Sequence, residues 1–411
     1  MSKNINFKNT ISPSYFKKSL YLKDKIKIKK ILDNISTTLD AKEDAFHSLS
    51  KKFNFNFKHS ELIKFNKYTS VIMIGMGGSV LGAEAIYTFF RDKIKKKFIF
   101  FDNLDQSKIE QIKKKIDLKK SLFIIISKSG NTLETLINSN LFKDKINNKN
   151  TIIITEEKTN LLNTFAVNKK ILHISHKDYI GGRYSVLSEV GMIPAYFMGL
   201  KTKYFRRTLL DFFKPKGKNL LLDNVIKLSH IYRYKKVNNI ILLNYAPEVN
   251  DFLYWSQQLI AESLGKKGKG MLPVVSPAPR DHHSLLQLYL DGPKDKLFYI
   301  FSLKLNKKMK INKNIFGKKF SYAENKDLSE AKEAQKNALI QALRSKNIPY
   351  YEVTIKKKNE ETLGELFTYF IIETVIIGKM LGINPFDQPA VEQVKIATKK
   401  YLSQKSTKNY F

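Results

Sequence analysis

The chain has 411 residues, 43% of them hydrophobic, which is enough for two or three domains with a sizeable core. It contains no Cys, which excludes disulfides, thiolate metal sites and a cysteine nucleophile. Its 73 Lys and Arg outweigh 37 Asp and Glu and give a net charge of +36, a value that invites comparison with nucleic-acid-binding proteins.

The distribution of this charge favours a different interpretation. Only seven of the basic residues are Arg, and the lysines are spread along nearly the whole chain in short clusters such as KIKIKK (25–30). Neither a Cys/His finger nor an aromatic ribonucleoprotein motif accompanies them. We therefore interpret the charge as a basic surface of compositional origin that helps to recruit an anionic small substrate, and we keep nucleic-acid binding as the alternative.

Two further features predict a cytoplasmic protein without a membrane span. The N-terminal MSKNINFKNTIS lacks the apolar core of a signal peptide. The longest apolar stretch, 367–383, is interrupted by Glu373 and Lys379, so we interpret it as a buried helix.

Short β-rich runs alternate with longer helical stretches along the chain. Strands are predicted in the first half at 71–75, 98–103, 122–127, 151–155 and 171–175, each followed by a helical or turn segment. After a helix at 217–235, the second half has predicted strands at 239–245, 271–275, 297–303 and 350–355, with helices at 250–264, 282–290, 328–345, 361–381 and 391–403. Continuous apolar strands that alternate with helices are typical of parallel sheets covered on both faces.

The predicted fold class is therefore α/β, with two α/β/α subdomains, mainly parallel sheets and extra helices at both termini. We divide the chain into a helical segment at 1–60, a first subdomain at 61–210, a second at 211–382, and a C-terminal loop and helix at 383–411. In such folds ligands bind in the crevice at the carboxyl ends of the strands.

The segment Ser127–Thr132 lies between a predicted buried strand and a helix. Its hydroxyls, its Lys128 ammonium and the free N–H groups of a helix N-terminus are suited to hold a phosphate. The alternative is an ordinary capped turn, and the spacing of a Walker A loop is absent.

Two glycine-rich turns are also candidates for ligand contact. Gly75–Ser79 follows a predicted strand, but Val80 stands where a dinucleotide fingerprint needs its third Gly, so we favour a loop of close approach to some other ligand. Gly181 and Gly182 precede Arg183, whose guanidinium fork suits an oxyanion, although a solvated surface Arg remains an alternative.

Three later segments carry groups that can move protons. Gln258 and Glu262 share one helix face, and Glu262 is a candidate general base or else a surface carboxylate. His282 and His283 adjoin at a predicted helix start; they can transfer protons near neutral pH but point about 100° apart, which disfavours a metal pair. Lys395, near the start of the last helix, carries no functional signal by itself.

In their order along the chain and in their amino-acid sequence, these segments resemble the signatures of the glucose-6-phosphate isomerase (phosphoglucose isomerase) family in its compact bacterial form. The segments that carry the resemblance are GMGGSVLG (75–82), SKSGNTLET (127–135), GGRYSVLSEVG (181–191), QQLIAESLGK (257–266), HHSLLQ (282–287) and NPFDQPAVEQVK (384–395). The resemblance implies two sugar-isomerase-type subdomains.

The resemblance also assigns roles to individual residues. Catalytic positions fall on Glu262 (the base between C2 and C1), Arg183 (enediolate stabilisation), His283 and Lys395 (ring opening) and Glu134 (orientation of the histidine). Substrate-binding positions fall on Gly78, Ser79, Ser127, Lys128, Ser129, Thr132, Gln258 and Gln388. His283 is preferred to His282 because it directly precedes Ser284 in the HSxxQ pattern.

The implied function is the reversible isomerisation of glucose 6-phosphate and fructose 6-phosphate in glycolysis and gluconeogenesis, without cofactor or metal, in a homodimer that shares His283 across its interface. Two residues depart from the family pattern, since Ala390 stands where Gly is usual and Asn131 where Thr or Phe is common. The alternatives are a bifunctional phosphoglucose/phosphomannose isomerase and a non-catalytic phosphosugar-sensing regulator.

Overall fold

The structure, a computed structural model, describes residues 3–15, 18–41, 44–234, 237–304, 309–311 and 315–404. In chain order its strands are β1 (Ile5–Asn9), β2 (Ser70–Ile74), β3 (Lys97–Phe101), β4 (Ser121–Ile126), β5 (Thr151–Thr155), β6 (Leu172–Ser175), β7 (Asn239–Asn244), β8 (Leu272–Pro277), β9 (Lys296–Leu303) and β10 (Tyr350–Ile355). Its helices are α1 (Lys18–Thr38), α2 (His59–Ile63), α3 (Leu81–Phe90), α4 (Gln106–Lys115), α5 (Leu133–Leu141), α6 (Leu161–Asn168), α7 (Glu189–Phe197), α8 (Thr202–Phe205), α9 (Pro215–Tyr234), α10 (Asn250–Leu264), α11 (Leu286–Asp291), α12 (Leu328–Ser345), α13 (Glu360–Leu381) and α14 (Glu392–Ser403).

The strands form two five-stranded sheets, with the orders β3-β2-β4-β5-β6 and β1-β10-β9-β7-β8. Every strand pair is parallel except β1 with β10. Each residue of β2, β4 and β5 is buried, as expected for strands covered by helices on both faces. The predicted α/β class with mainly parallel sheets is confirmed, whereas the domain limits at 60, 210 and 382 stay a prediction.

The expectation of a mostly helical segment at 1–60 missed one strand. β1 pairs antiparallel with β10, with Ile5 opposite Ile355, and it buries Ile5 and Phe7 on one face. The alternation of Ile5 and Phe7 with polar residues fits a strand, but an edge strand of five residues also needs its distant partner, so the local pattern alone did not identify it.

The helix predicted at 282–290 is also different in the structure. A 3-10 turn covers Arg280–His283, and α11 begins only at Leu286. The buried Asp281 accepts a hydrogen bond from Ser276 Oγ at 2.9 Å, which ties this turn back to the end of β8. The two histidines therefore lie on a turn anchored at the carboxyl edge of the second sheet.

Helix α10 links the two halves of the chain. It packs along α3 from the first half, and its buried Trp255 meets Phe367 of α13 edge to face at a ring-centroid distance of 4.7 Å. This packing fixes the face of α10 that carries Gln258 and Glu262.

The apolar helix α13 is capped by Gly382, which has the left-handed φ of +69° that favours glycine. A loop over 383–391 then leads to α14, which has no buried side chain. Among the described helices, α13 included, none combines the length and apolar character needed to cross a bilayer.

Candidate active site

The centre of the site is the side chain of Arg183, which is 2% exposed. It lies on the 3-10 turn Gly182–Leu187. Its Nε donates to Ser263 Oγ (2.8 Å), its Nη1 to Glu262 Oε2 (3.0 Å) and Gln388 Oε1 (2.9 Å), and its Nη2 to the carbonyl oxygens of Pro385 (2.6 Å) and Asp387 (3.0 Å). The guanidinium is therefore held by two distant parts of the chain, and the solvated surface Arg considered for this position is wrong.

Glu262 is the carboxylate nearest to this guanidinium. Its Oε1 accepts a hydrogen bond from Gln258 Nε2 at 2.9 Å, one turn earlier on α10, as the shared helix face predicted. Its side chain keeps 32% exposure, whereas that of Arg183 keeps 2%. A carboxylate that is oriented on both oxygens but still reachable is suited to accept a proton from a bound molecule.

The two glycine-rich turns meet beside this pair. A Cβ on Gly78 would lie 2.2 Å from the carbonyl carbon of Gly182, so only glycine permits this approach of the two backbones. Gly77 has a φ of +52° and lies against the amide of Gln258. Gly77 and Gly78 both belong to the 3-10 turn Gly77–Ser79, which Ser79 ends. The loop after β2 therefore forms one wall of the site.

The proposed phosphate loop lies next to this wall. A Cβ on Gly75 would lie 2.9 Å from Ile126 O, so the ends of β2 and β4 adjoin. Ser127 Oγ and Thr132 Oγ1 hydrogen-bond each other at 2.8 Å, and α5 starts directly after Thr132. The loop thus presents hydroxyls and the first N–H groups of a helix, which is the arrangement expected for a phosphate cradle.

The lysine of the cradle makes contacts within the chain. Lys128 Nζ donates to Asp178 O at 2.6 Å and lies 3.7 Å from Glu156 Oε1. Ser129, by contrast, is exposed, and its Oγ accepts a hydrogen bond from Asn131 N at 3.3 Å.

Two asparagines support the cradle. Asn131 Oδ1 accepts the N–H of Leu161 at 3.1 Å, and the buried Asn160 fills the space beside Gly130, which has a φ of +67°. His176 is 3% exposed, and its Nδ1 lies 2.9 Å from Lys177 O; burial, aided by the ammonium of Lys128, lowers its pKa to about 4. Neither Asn160 nor His176 could be identified from the sequence, because their local patterns do not show which distant groups they adjoin.

Three of the assigned catalytic residues lie away from the Arg183 cluster. His283 is exposed, whereas His282 Nε2 hydrogen-bonds Tyr245 Oη at 2.7 Å and has a pKa lowered by partial burial. Lys395 is 62% exposed and pairs with Glu392 at 2.6 Å. Glu134 is half-buried in the first turn of α5. Within the described part of the chain, none of these three side chains makes a hydrogen bond to the cluster.

A cavity of about 570 Å³ opens between α3 and α10 and reaches Gln258 and Glu262. Glu84, Asp102 and Asp251 also line this cavity. Burial, together with the two neighbouring aspartates, raises the pKa of Glu84 to about 8. Glu84 carries no functional signal in the sequence, where it stands in the first turn of an otherwise apolar helix.

The site combines a carboxylate and a guanidinium, the two groups that proton transfer next to a carbonyl requires. A positioned carboxylate can remove a proton next to a carbonyl group, and a fixed guanidinium can stabilise the oxyanion that develops. Among the described residues, no group of three or more His, Asp or Glu side chains has an arrangement that would hold a metal ion.

Comparisons with known proteins relate this chain to one family. The family model of phosphoglucose isomerase matches residues 33–269. Glucose-6-phosphate isomerase of Methanocaldococcus jannaschii is 33% identical over 346 residues, which cover 80% of this chain and 83% of that protein. Glucose-6-phosphate isomerase of Campylobacter jejuni is 32% identical over 378 residues, covering 87% and 91%.

A solved structure shares the fold at lower sequence identity. The crystal structure of a glucose-6-phosphate isomerase from Chlamydia trachomatis superposes with a TM-score of 0.78 and 16% identity. The match covers 98% of this chain and 89% of that one, so the whole described architecture has a known counterpart.

Proposed function

Because the chain belongs to the phosphoglucose isomerase family, we propose that it interconverts glucose 6-phosphate and fructose 6-phosphate in glycolysis and gluconeogenesis. The observation that carries the proposal is the contact of Glu262 with Arg183, at 3.0 Å, at one end of an open cavity. Aldose–ketose isomerisation requires a base for the carbon-bound proton and a cation for the enediolate, and these two groups supply both.

The proposed reaction uses the rest of the site for orientation. The phosphate binds at Ser127–Thr132, where hydroxyls and N–H groups donate to its oxygens. Glu262 then removes the proton from C2 of the open-chain aldose and returns it to C1, while Arg183 stabilises the enediolate oxygen. The hydroxyl proton of O2 passes to O1 in the enediolate, which completes the conversion of the aldose into the ketose. Binding energy from the phosphate, remote from the reacting carbons, serves to align them.

Ring opening must precede this proton transfer, and we assign it to His283 and Lys395, with Glu134 orienting the histidine. We further propose a homodimer in which His283 of one subunit enters the site of the other. The exposure of His283 supports this arrangement, as do the apolar side chains of α14, with Val394 68% and Ile396 69% exposed. Exposed apolar surface of this kind is typical of protein–protein contacts.

A spectrophotometric assay tests the proposed function. The purified chain is expected to convert fructose 6-phosphate to glucose 6-phosphate, detected through a coupled dehydrogenase. The same assay run with mannose 6-phosphate and a fructose-6-phosphate readout measures any second specificity. Tight binding of the phosphosugar without turnover would contradict the assignment and identify a sensor.

We also place the enzyme in the cytoplasm. A phosphorylated sugar is charged and does not cross an apolar bilayer unaided, so an enzyme of this substrate acts where the sugar is phosphorylated. Cell fractionation followed by the isomerase assay checks this location.

A further inference from the structure

Lys266 follows the last residue of α10 by two positions, just after the stretch that carries Glu262 and Ser263. Its side chain is only 10% exposed, unusually little for a lysine in this chain. Its Nζ donates to three oxygens: Asn384 O at 2.5 Å, Asp387 O at 2.6 Å and Asp387 Oδ1 at 2.7 Å. The ammonium therefore uses all three of its protons on one loop of five residues.

That loop, residues 384–388, is the part of the C-terminal signature that touches the active site. Arg183 binds its backbone at Pro385 and Asp387 and its side chain at Gln388. The carbonyl oxygen of Asp387 is thus shared by two cations, Lys266 from one side and Arg183 from the other.

The shared carbonyl couples the two cations mechanically. If Lys266 is lost, Asn384 and Asp387 lose its three donated protons, while the loop keeps its hydrogen bonds from Arg183 and from Tyr184 Oη to Pro385 O and the ring contact of Phe386 with Tyr184. Arg183 keeps its bond to Ser263 Oγ, but the contacts at Asp387 and Gln388 that orient its Nη groups beside Glu262 become less restrained. The ammonium also keeps the pKa of Asp387 below its usual range by hydrogen bonding to the carboxylate.

We propose that Lys266 is a positioning residue for isomerisation: it clamps the 384–388 loop so that Arg183 is held where the enediolate oxygen develops. The proposal rests on the proposed function. It assigns Lys266 no contact with the substrate, because all three of its protons are already used within the chain.

This role predicts an uneven effect on the two kinetic constants. The phosphate cradle at Ser127–Thr132 belongs to another loop and does not contact Lys266, so the contacts to the phosphate are preserved. Gln388, a proposed substrate-binding residue, lies in the clamped loop, so a small change in KM is expected as well. Displacement of a transition-state group by about 1 Å costs on the order of 100-fold in rate. Lys266→Met should therefore lower kcat by at least about 10-fold, with KM changing by less than about 3-fold.

The matched control is Lys267→Met. Lys267 adjoins Lys266 but is exposed. This change removes the same charge without touching the loop, and kcat is expected to stay at the level of the unchanged chain. A third variant, Lys266→Arg, keeps a cation at the clamp and should recover part of the lost kcat. Recovery should be incomplete, because the planar guanidinium cannot reach all three acceptors that are grouped around the single Nζ of lysine.

Kinetics with C2-deuterated glucose 6-phosphate complete the test. A displaced Arg183 slows proton transfer, so the isotope effect on kcat should rise in Lys266→Met and stay unchanged in Lys267→Met. Equal kcat in the two methionine variants would overturn the proposal, as would a parallel loss of kcat and folded protein with an unchanged isotope effect. If the unchanged chain itself shows no isomerase activity, the proposed function fails before the clamp is tested.

Discussion

Glu262, the proposed base, lies against a cation, since Arg183 Nη1 donates to its Oε2 at 3.0 Å. The enediolate oxyanion of the proposed reaction would compete with this carboxylate for the same Nη1. As negative charge builds on the substrate, Arg183 would shift its hydrogen bond from Glu262 to the intermediate, so that the guanidinium stabilises the enediolate more than the bound aldose.

Replacing Glu262 by Gln tests the base directly. The amide keeps the size of the side chain but cannot accept the C2 proton, so turnover is expected to fall by at least about 100-fold. Binding of a phosphorylated sugar acid, measured by calorimetry, should remain because the phosphate cradle is intact. Near-normal turnover in this variant would contradict the assignment of Glu262.

His283 is expected to serve ring opening and not proton transfer. His283→Ala should therefore impair glucose 6-phosphate more than a short phosphorylated aldose that cannot cyclise. His282→Ala is the control from the same turn, because His282 is engaged with Tyr245 and its loss should not discriminate between the two substrates. Equal losses on both substrates in the His283 variant would refute this division of roles.

At the scale of elements, the periodicity of apolar residues was sufficient to predict helices and strands wherever the local pattern and the packing in the fold agree. The spacing of apolar residues predicted α12 and β10 at their observed limits. It failed where distant partners decide the conformation, as for β1 and for the turn at Arg280–His283, which is tied to Ser276.

The residues of the site divide in the same way, into those that local motifs identify and those whose role depends on distant partners. The motifs identified Arg183, Glu262 and Gln388, and the structure joins these three by hydrogen bonds. Lys266 stands in the same signature and was passed over, because one lysine among so many carries no signal until its acceptors are known. For Asn131, which departs from the family pattern, the hydrogen bond from Leu161 N–H gives a physical role in holding the proposed phosphate loop.

Helix α13 carries a buried acid that makes stability depend on pH. Burial raises the pKa of Glu373 from 4.5 to about 7, and Tyr299 donates to it at 3.2 Å. Tyr232, Tyr351 and Tyr369 surround it, and its charge would raise their pKa further. Between pH 4.5 and about 7 the folded chain keeps a proton that the unfolded chain has lost, so stability falls as pH rises through this range.

Glu373→Gln removes this titration. The variant should gain stability relative to the unchanged chain as pH rises from about 5 to 8.5, by on the order of 3 kcal/mol at about 1.4 kcal/mol for each pKa unit. Thermal or urea unfolding at both pH values measures the change. Glu361→Gln, which removes the surface pair with Arg207, serves as the control and should show no such trend. If the difference in the free energy of unfolding between Glu373→Gln and the unchanged chain stays constant with pH, Glu373 does not titrate in this range.

At the scale of the whole molecule, the proposed catalytic groups lie in two places. The Arg183 cluster is assembled within one chain, whereas His283 lies on an exposed turn and Lys395 on a helix without a buried side chain. A second copy of the chain that covers α14 would bury its apolar side chains and supply the missing histidine at the same time. Closed two-fold symmetry would then give two equivalent sites per dimer.

Mixing two inactive variants tests this arrangement. If each site takes Glu262 from one subunit and His283 from the other, a dimer of Glu262→Gln with His283→Ala has one site with both defects and one site with none. Random association gives about half heterodimers, so about a quarter of all sites become fully wild-type.

Activity on glucose 6-phosphate is therefore expected to rise from near zero in either variant alone to about a quarter of the unchanged enzyme after the two are refolded together. Different affinity tags on the two variants allow the heterodimer to be isolated, and in that fraction about half of the sites should be active. Refolding each variant separately and mixing only afterwards controls for residual activity. An inactive heterodimer of confirmed composition would mean that His283 serves the site of its own chain, and α14 would then have to move against its own subunit to deliver Lys395.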